Sequence, residues 1–249
     1  MSAIKLEVCV DSMASLEAAV AGGADRIELC AALSEGGLTP SFGFMKVAAE
    51  FDVSVHAMVR PRGGDFCYST AEIAAMCDDI KTAEQLGLAG VVLGVANHDD
   101  TLDLDALAKL RAAATGIQCT LHRVIDLTPN ILEATEQAIG LGFDRILTSG
   151  GARKAQDGTA AIARMVHQAS GRVEVMAGSG VTAQNVAEIV GKTGVSDVHA
   201  SCSEAEKSHS GKVEEMAFSP AQGLRVTSAL RVSEMRATVD SIHMEAAHA

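Results

Sequence analysis

From Lys5 onward the chain alternates short runs rich in Val, Ile and Leu with longer Ala-rich amphipathic runs, and the alternation is completed eight times. Strand-like runs fall at Lys5–Val10, Arg26–Cys30, Val53–Val59, Gly90–Ala96, Gln118–Ile125, Arg145–Ser149, Val173–Ala177 and Asp197–Ser201. Helix-like runs follow at 13–21, 41–50, 71–86, 103–114, 131–140, 157–169, 183–191 and 233–246. Strict alternation of this kind calls for parallel strands joined by helical crossovers. Local signals agree: Thr39-Pro40 suits a helix start with proline at the first position, and Ser69-x-x-Glu72 suits a capping box.

A doubly wound open sheet and a closed barrel both satisfy that pattern. The count of eight favours the barrel, and 249 residues match the roughly 250 typical of one (β/α)8 domain. The strand runs carry polar residues on one parity, which suits a lumen better than a sheet buried on both faces. Gly23-Ala24-Asp25-Arg26-Ile27 before the second strand recurs as Gly142-Phe143-Asp144-Arg145-Ile146 before the sixth, with an echo, Gly194-Val195-Ser196-Asp197-Val198, before the eighth. The expectation is an α/β chain forming a single (β/α)8 TIM barrel over 1–249, with 203–232 a long loop before the last helix.

The composition is 48% hydrophobic, ample for one large core, but there is no Trp, one Tyr and six Phe, so that core rests on aliphatic side chains. A net charge of -12 and a pI near 5.0 argue against nucleic acid or an anionic membrane as partner. No signal-peptide pattern opens the sequence and no apolar run is long enough to span a bilayer. Six cysteines without a Cys-x-x-Cys pair read as reduced thiols. The expected location is cytoplasmic, and homo-oligomerisation is left open.

Period-two alternation sorts the strand side chains. Leu6, Val8 and Val10 share one face of the first strand, leaving Glu7 and Cys9 on the other; Glu28 and Cys30 repeat that pattern in the second. His56, Met58 and Arg60 face inward in the third, Thr120 and His122 in the fifth, with Arg123 and Asp126 at its end, and His199 and Ser201 in the eighth. Each has a plainer reading. A lone strand histidine is more often a hydrogen-bonded structural residue, and Glu7 and Glu28 could simply pair with Arg60 or Arg123. Their convergence in one lumen is costly unless the groups pair or bind something. Cys77, Cys119 and Cys202 read as packing residues, and His98, His209, His243 and His248 receive no role.

The loop Arg60-Pro61-Arg62-Gly63-Gly64-Asp65-Phe66-Cys67-Tyr68-Ser69 lies between a strand and a helix, where α/β proteins carry their chemistry. Its arginines, Arg60 and Arg62, offer planar forks for a carboxylate or phosphate. Thr148-Ser149-Gly150-Gly151 and Gly178-Ser179-Gly180-Val181-Thr182 end the sixth and seventh strands. The second opens a helix, and loops at that end of a barrel often hold phosphate. The anion-binding candidates are therefore Arg60, Arg62, Arg123, Ser149, Gly150, Gly178, Ser179, Gly180 and Ser201. No Rossmann fingerprint, serine or cysteine triad, inward strand lysine or zinc-ligand spacing accompanies them.

With these residues in view the chain resembles the CutC copper-homeostasis family, from Leu6 to about Ser201. The likeness rests on Glu7-Val8-Cys9-Val10-Asp11-Ser12, Gly23-Ala24-Asp25-Arg26-Ile27-Glu28-Leu29-Cys30, Glu35-Gly36-Gly37-Leu38-Thr39-Pro40-Ser41, the loop from Arg60 to Phe66, His122-Arg123-Val124-Ile125-Asp126 and Leu147-Thr148-Ser149-Gly150-Gly151. The resemblance implies a cytosolic barrel, a role in copper handling, and Cu(I) at the cysteines matching Cys9 and Cys30. Val124 stands where the family's His-Arg motif usually has Ala, and the tail beyond Ser203 matches weakly.

Two functions are expected. One is copper homeostasis with Cu(I) as the ligand: thiolates suit that ion, and neighbouring parallel strands about 4.8 Å apart could let Cys9 and Cys30 share it. The other is an enzyme acting on a small anionic ligand, with Glu7, Glu28, His56, His122 and Asp126 as acid-base residues. The polar lumen and the arginine loop favour the second on the residues alone. The resemblance favours the first, which is taken as the description.

Overall fold

The computed structural model describes residues 3–207, 210–219 and 223–247, with side chains through 242. Eight strands, β1 (Lys5–Val10), β2 (Arg26–Leu29), β3 (Ser54–Met58), β4 (Gly90–Leu93), β5 (Gln118–Leu121), β6 (Arg145–Thr148), β7 (Glu174–Ala177) and β8 (Asp197–Ala200), pair in parallel in sequence order. Pairing of β8 with β1, Glu7 opposite His199, closes the barrel and excludes the open sheet. The crossovers are α1 (Met13–Ala21), α2 (Phe42–Ala48), α3 (Thr70–Gln85), α4 (Leu104–Ala113), α5 (Ile131–Gly140), α6 (Thr159–Ala169) and α7 (Val186–Thr193).

Helix starts follow their caps. Ser12, Ser41, Asp103 and Asn130 each accept a first-turn N–H, and Ser69 with Glu72 makes both bonds of the expected capping box. The outward strand residues Leu6, Val8, Ile27, Leu29, Val91, Leu121 and Ile146 meet Leu16, Met76, Ile80, Leu107, Leu110, Ile162 and Ile189 from the helices, all fully buried. Each such aliphatic side chain contributes about 1.5–3 kcal/mol when removed from water. This shell holds the barrel and leaves the lumen free to be polar.

Several strands are shorter than their aliphatic runs suggest. β5 ends at Leu121 because His122 turns to cap a 3-10 segment, Arg123–Leu127, in which Val124 and Ile125 bury as turn residues. α7 begins at Val186, later than expected, since the Asn185 side chain accepts from Thr182 N and donates to Gly180 O. The stretch 203–232, expected as loop, carries β9 (Ser203–Glu206) and β10 (Leu224–Thr227) as an antiparallel pair, with α8 (Gly211–Glu215) between them. Thr227 N donates to Ser15 Oγ at 3.1 Å, docking this sheet on α1. The final helix α9 (Ala229–Ala247) starts before residue 233 and buries Val232, Met235 and Val239. His209 and His248 lie outside the described residues, as does the His243 side chain.

The repeated Gly-x-Asp-Arg segment has a structural cause. Gly23 and Gly142 adopt positive φ of 91° and 75°, which lets the chain leave a helix and turn under the barrel. Asp25 Oδ2 then accepts from Leu6 N at 2.7 Å and Asp144 Oδ2 from Cys119 N at 2.8 Å, pinning each new strand to its predecessor. The following arginines, Arg26 and Arg145, enter the lumen.

Candidate functional site

The lower lumen is closed by charge. Arg26 Nε donates to Glu7 Oε2 at 2.5 Å and its Nη2 to Asp197 Oδ1 at 2.7 Å, while Arg145 Nε stands 3.6 Å from the same Asp197 oxygen. All four residues are buried. Glu7 therefore pairs with Arg26, not with Arg60 or Arg123. Sequence reading missed Arg26, Arg145 and Asp197 as lumen residues, although they share parity with Glu28, Leu147 and His199. His56, fully buried beside this cluster, has neither ring nitrogen partnered among the described residues, and burial lowers its pKa to about 3.

Above the floor, His199 stands between two carboxylates. Its Nδ1 lies 2.8 Å from Glu7 Oε1 and its Nε2 3.8 Å from Glu28 Oε2. Burial alone would raise the pKa of Glu7; the hydrogen bond from His199 and the charge of Arg26 outweigh it and hold Glu7 well below the carboxylate range. Burial opposes a charge on His199, but Glu28 and Cys9 raise it well above its ordinary value. Glu28 is pushed up, first by burial and then by Glu7, against the pull of His199.

Cys9 completes this group. Ligand atoms of Cys9, Glu28 and His199 lie within 4.8 Å of one another, close enough for the three to share a metal ion. Cys30 is adjacent, its Sγ donating to Glu28 Oε2 at 3.6 Å, but it packs with Met58, Val92 and Leu33 and is shielded from solvent. Burial, then Glu28, pushes its thiol well above the usual range. Cys119 is buried on the outer face, its thiol pushed by burial to about 12, in keeping with a packing role.

A cavity of about 550 Å³ opens over this group at the C-terminal mouth, lined by the ends of β1, β2, β3, β6 and β8 and the turns after β5 and β7. Cys9, Glu28, Met58, Arg60, His122, Arg123, Ser179, Gly180, His199 and Ser201 all reach it. Arg60 gives Nη1 to the carbonyls of Glu35 and Gly37 and Nη2 to that of Gly64, and lies over Phe66 with Cζ 4.9 Å from the ring centroid. Phe66, also missed from sequence, stands 4.8 Å from the His122 ring. Burial, reinforced by Arg60, lowers His122 to about 3.

The remaining candidates are held by their own loops, Ser179 among them although it also lines the cavity. Arg62 turns to Glu72 and Asp65 on the outer loop, at 2.7 and 3.0 Å. Asp126 accepts from Thr148 Oγ1, the N–H groups of Ser149 and Gly151, Ser149 Oγ and Arg123 Nε, so it holds the turn after β6. Ser149 is fully buried in that clamp, and Gly150 N donates to Thr148 Oγ1 at 2.8 Å. Gly178 lies under Leu147 and His199, where a Cβ would meet Leu147 at 2.5 Å. Ser179 Oγ donates to Arg153 O at 2.9 Å.

The sequence model of the CutC family matches residues 4–204, the whole barrel and every residue of the mouth. This chain belongs to the CutC family. A family protein CutC of Rhizobium meliloti is 49% identical over 241 residues, 97% of this chain and 98% of its own, and one of Caulobacter vibrioides is 50% identical over 198 residues, 80% and 81% of the two chains. A crystal structure described as a candidate copper homeostasis protein CutC of Streptococcus agalactiae superposes with a TM-score of 0.76 at 34% identity, over 80% of this chain and 98% of that one. Thiamine phosphate pyrophosphorylase of Pyrococcus furiosus, at 19% identity and a TM-score of 0.58 over 96% of each chain, shares the fold alone. Among the described residues no helix is long and apolar enough to cross a membrane.

Proposed function

We propose that this CutC-family chain is a cytoplasmic copper-homeostasis protein that holds Cu(I) at the barrel mouth. The observation that supports this reading is the group of Cys9, Glu28 and His199, whose ligand atoms lie within 4.8 Å of one another. A thiolate and an imidazole suit copper, and Cys30 offers a second sulfur beside Glu28. Glu7 holds the far nitrogen of His199, the carboxylate support usual behind a metal-bound imidazole. Metal capture would displace the proton on His199 Nε2, so binding weakens toward acid pH. An anaerobic Cu(I) competition titration against a chromophoric chelator tests the proposal. One tightly held ion per chain, lost on Cys9→Ser with Cys30→Ser, is the expected result; no ion held, or holding unchanged in that variant, contradicts it.

A second reading, an enzyme for a small carboxylate or phosphate, is favoured by Arg60. Arg60 is buried on the cavity wall, and its guanidinium donates to backbone carbonyls and stacks on Phe66 with no ion pair to a carboxylate among the described residues. A buried cation without a counter-charge is costly, and an anion in the cavity would supply one. Glu28, His199 and His122 are the groups placed for acid-base work on it. Calorimetric titration of the metal-free protein with phosphate and with small carboxylates decides this: no heat and no thermal stabilisation from any of them removes the reading.

A further inference from the structure

β8 ends at Ala200 and its helix, α9, begins at Ala229, whereas β1 ends at Val10 and α1 already begins at Met13. Strand-to-helix connections in α/β units usually take about 2–6 residues. The family match ends at residue 204, so nearly all of this excursion lies outside the barrel that the family shares. α9 completes the outer wall, with Val232, Met235 and Val239 buried in the core, and β9, α8 and β10 are an addition to it.

The addition is thinly covered. Its two-stranded sheet is tied to the body through Thr227, whose N–H donates to Ser15 Oγ at 3.1 Å and whose hydroxyl donates to Ser201 O at 3.3 Å. Glu204, Ala205 and Glu206 of β9 are exposed, as are Leu224 and Arg225 of β10. A lone two-stranded sheet is marginal in water and needs a further strand or a packed face. Phe218, at 79%, is the most exposed large apolar residue among those described, and Leu224 is 56% exposed. With Val213 and Val226 they line a groove of about 270 Å³ that shares no residue with the mouth cavity. Single exposed apolar side chains are ordinary, but an aromatic and three aliphatic side chains around one groove mark an interaction surface.

Charge identifies what covers it. The chain carries -12, yet the segment 203–231 holds four glutamates against four lysines and arginines. Arg231 pairs with Glu204 at 3.2 Å. Lys207, Lys212 and Arg225 form no ion pair among the described residues, and neither do Glu206, Glu214 and Glu215. A face with three such charges of each sign suits a copy of itself, because a two-fold axis sets the patch against its own image and brings unlike charges opposite one another. Approach of two copies through the acidic remainder is opposed by like charge. A basic partner would be drawn to that remainder, not to a neutral face.

We propose that the groove between α8 and β10 is the centre of a two-fold interface with a second copy of this chain, in which Phe218 and Leu224 of each copy pack against the other and the β9–β10 sheet gains its cover.

Analytical ultracentrifugation of the full chain tests this, with hydrogen exchange followed on the same samples. At about 50 µM the expected species has twice the chain mass of 25.7 kDa, and it dissociates on dilution. Phe218→Glu with Leu224→Glu should weaken association by at least about a hundredfold and leave the thermal midpoint of the monomer unchanged, since both side chains are exposed. In the unchanged chain the amides of 203–206 and 224–227 should exchange more slowly in the dimer than after dilution, which reads the interface without a variant. A monomer at about 50 µM overturns the proposal and leaves the face to a different protein. A dimer that the double variant leaves intact, or one whose protection falls on other segments alone, overturns it equally.

Discussion

His199 Nδ1 stands 2.8 Å from Glu7 Oε1, and the other oxygen of Glu7 takes Arg26 Nε at 2.5 Å. One carboxylate thus joins the charged floor of the barrel to the group at its mouth. The floor fixes Glu7, Glu7 fixes the ring of His199, and the ring presents Nε2 toward Cys9 and Glu28.

Glu7→Gln keeps the shape of this connection and removes its charge. His199 then loses a partner that favours its ring in one orientation, and copper affinity should fall by about 10–100-fold, the usual effect of losing a support behind a metal-bound imidazole. Competition titration of the variant measures it, and an unchanged affinity would detach Glu7 from the metal group.

Arg26→Ala leaves Glu7 and Asp197 buried without their shared cation. Breaking a buried pair by removing one partner costs about 3–5 kcal/mol. The exposed pair of Arg172 with Glu136 provides the contrast: solvent screens it, and Arg172→Ala should leave the unfolding midpoint nearly unchanged. Urea unfolding of both variants distinguishes the floor from the surface.

Stability should decline on mild acidification. His56 and His122 ionise near 6.5 when unfolded and near 3 in the fold, where burial is the first cause. The unfolded chain therefore takes up protons that the folded chain refuses as pH falls from 6.5 toward 3. Each histidine removes up to about 1.4 kcal/mol of stability per pH unit in that window. Glu7, held low, adds a further loss below the unfolded carboxylate range near 4.5. Denaturation midpoints across the window should show a smaller slope for His56→Gln than for the unchanged chain; equal slopes would mean His56 is not buried neutral.

Much of this arrangement was legible in the sequence because period-two alternation is enforced when one face of every strand meets the helices. Glu7, Cys9, Glu28, His56, Met58, Arg60, His122 and His199 all stand on the lumen side that alternation assigns them. Arg26, Arg145 and Asp197 are less legible, because charged residues at strand starts look like solvent-facing boundaries even where parity points inward. The partners of Arg60 and of Asp126 were not legible, since they are backbone groups brought close by tertiary folding. The same limit applies to Ser203–Glu206, a strand with no β-branched or aromatic residue, whose pairing with Leu224–Thr227 is long-range.

Gly94 tests how His122 is held. A Cβ there would lie 2.5 Å from the His122 ring and 2.6 Å from Val124. Gly94→Ala should destabilise by about 1–3 kcal/mol through overpacking and should displace the ring. Loss of small-anion binding alongside a folded spectrum is the expected outcome; intact binding would show that the ring position does not matter.

Copper is proposed to sit on Cys9 and His199, with Glu28 and Cys30 beside them. Copper-edge X-ray absorption on protein loaded anaerobically with a single equivalent of Cu(I) tests it most directly. A first shell that mixes sulfur with nitrogen or oxygen, and that loses sulfur in Cys9→Ser, is the expected result. A shell of sulfur alone, or one that Cys9→Ser leaves unchanged, would contradict it.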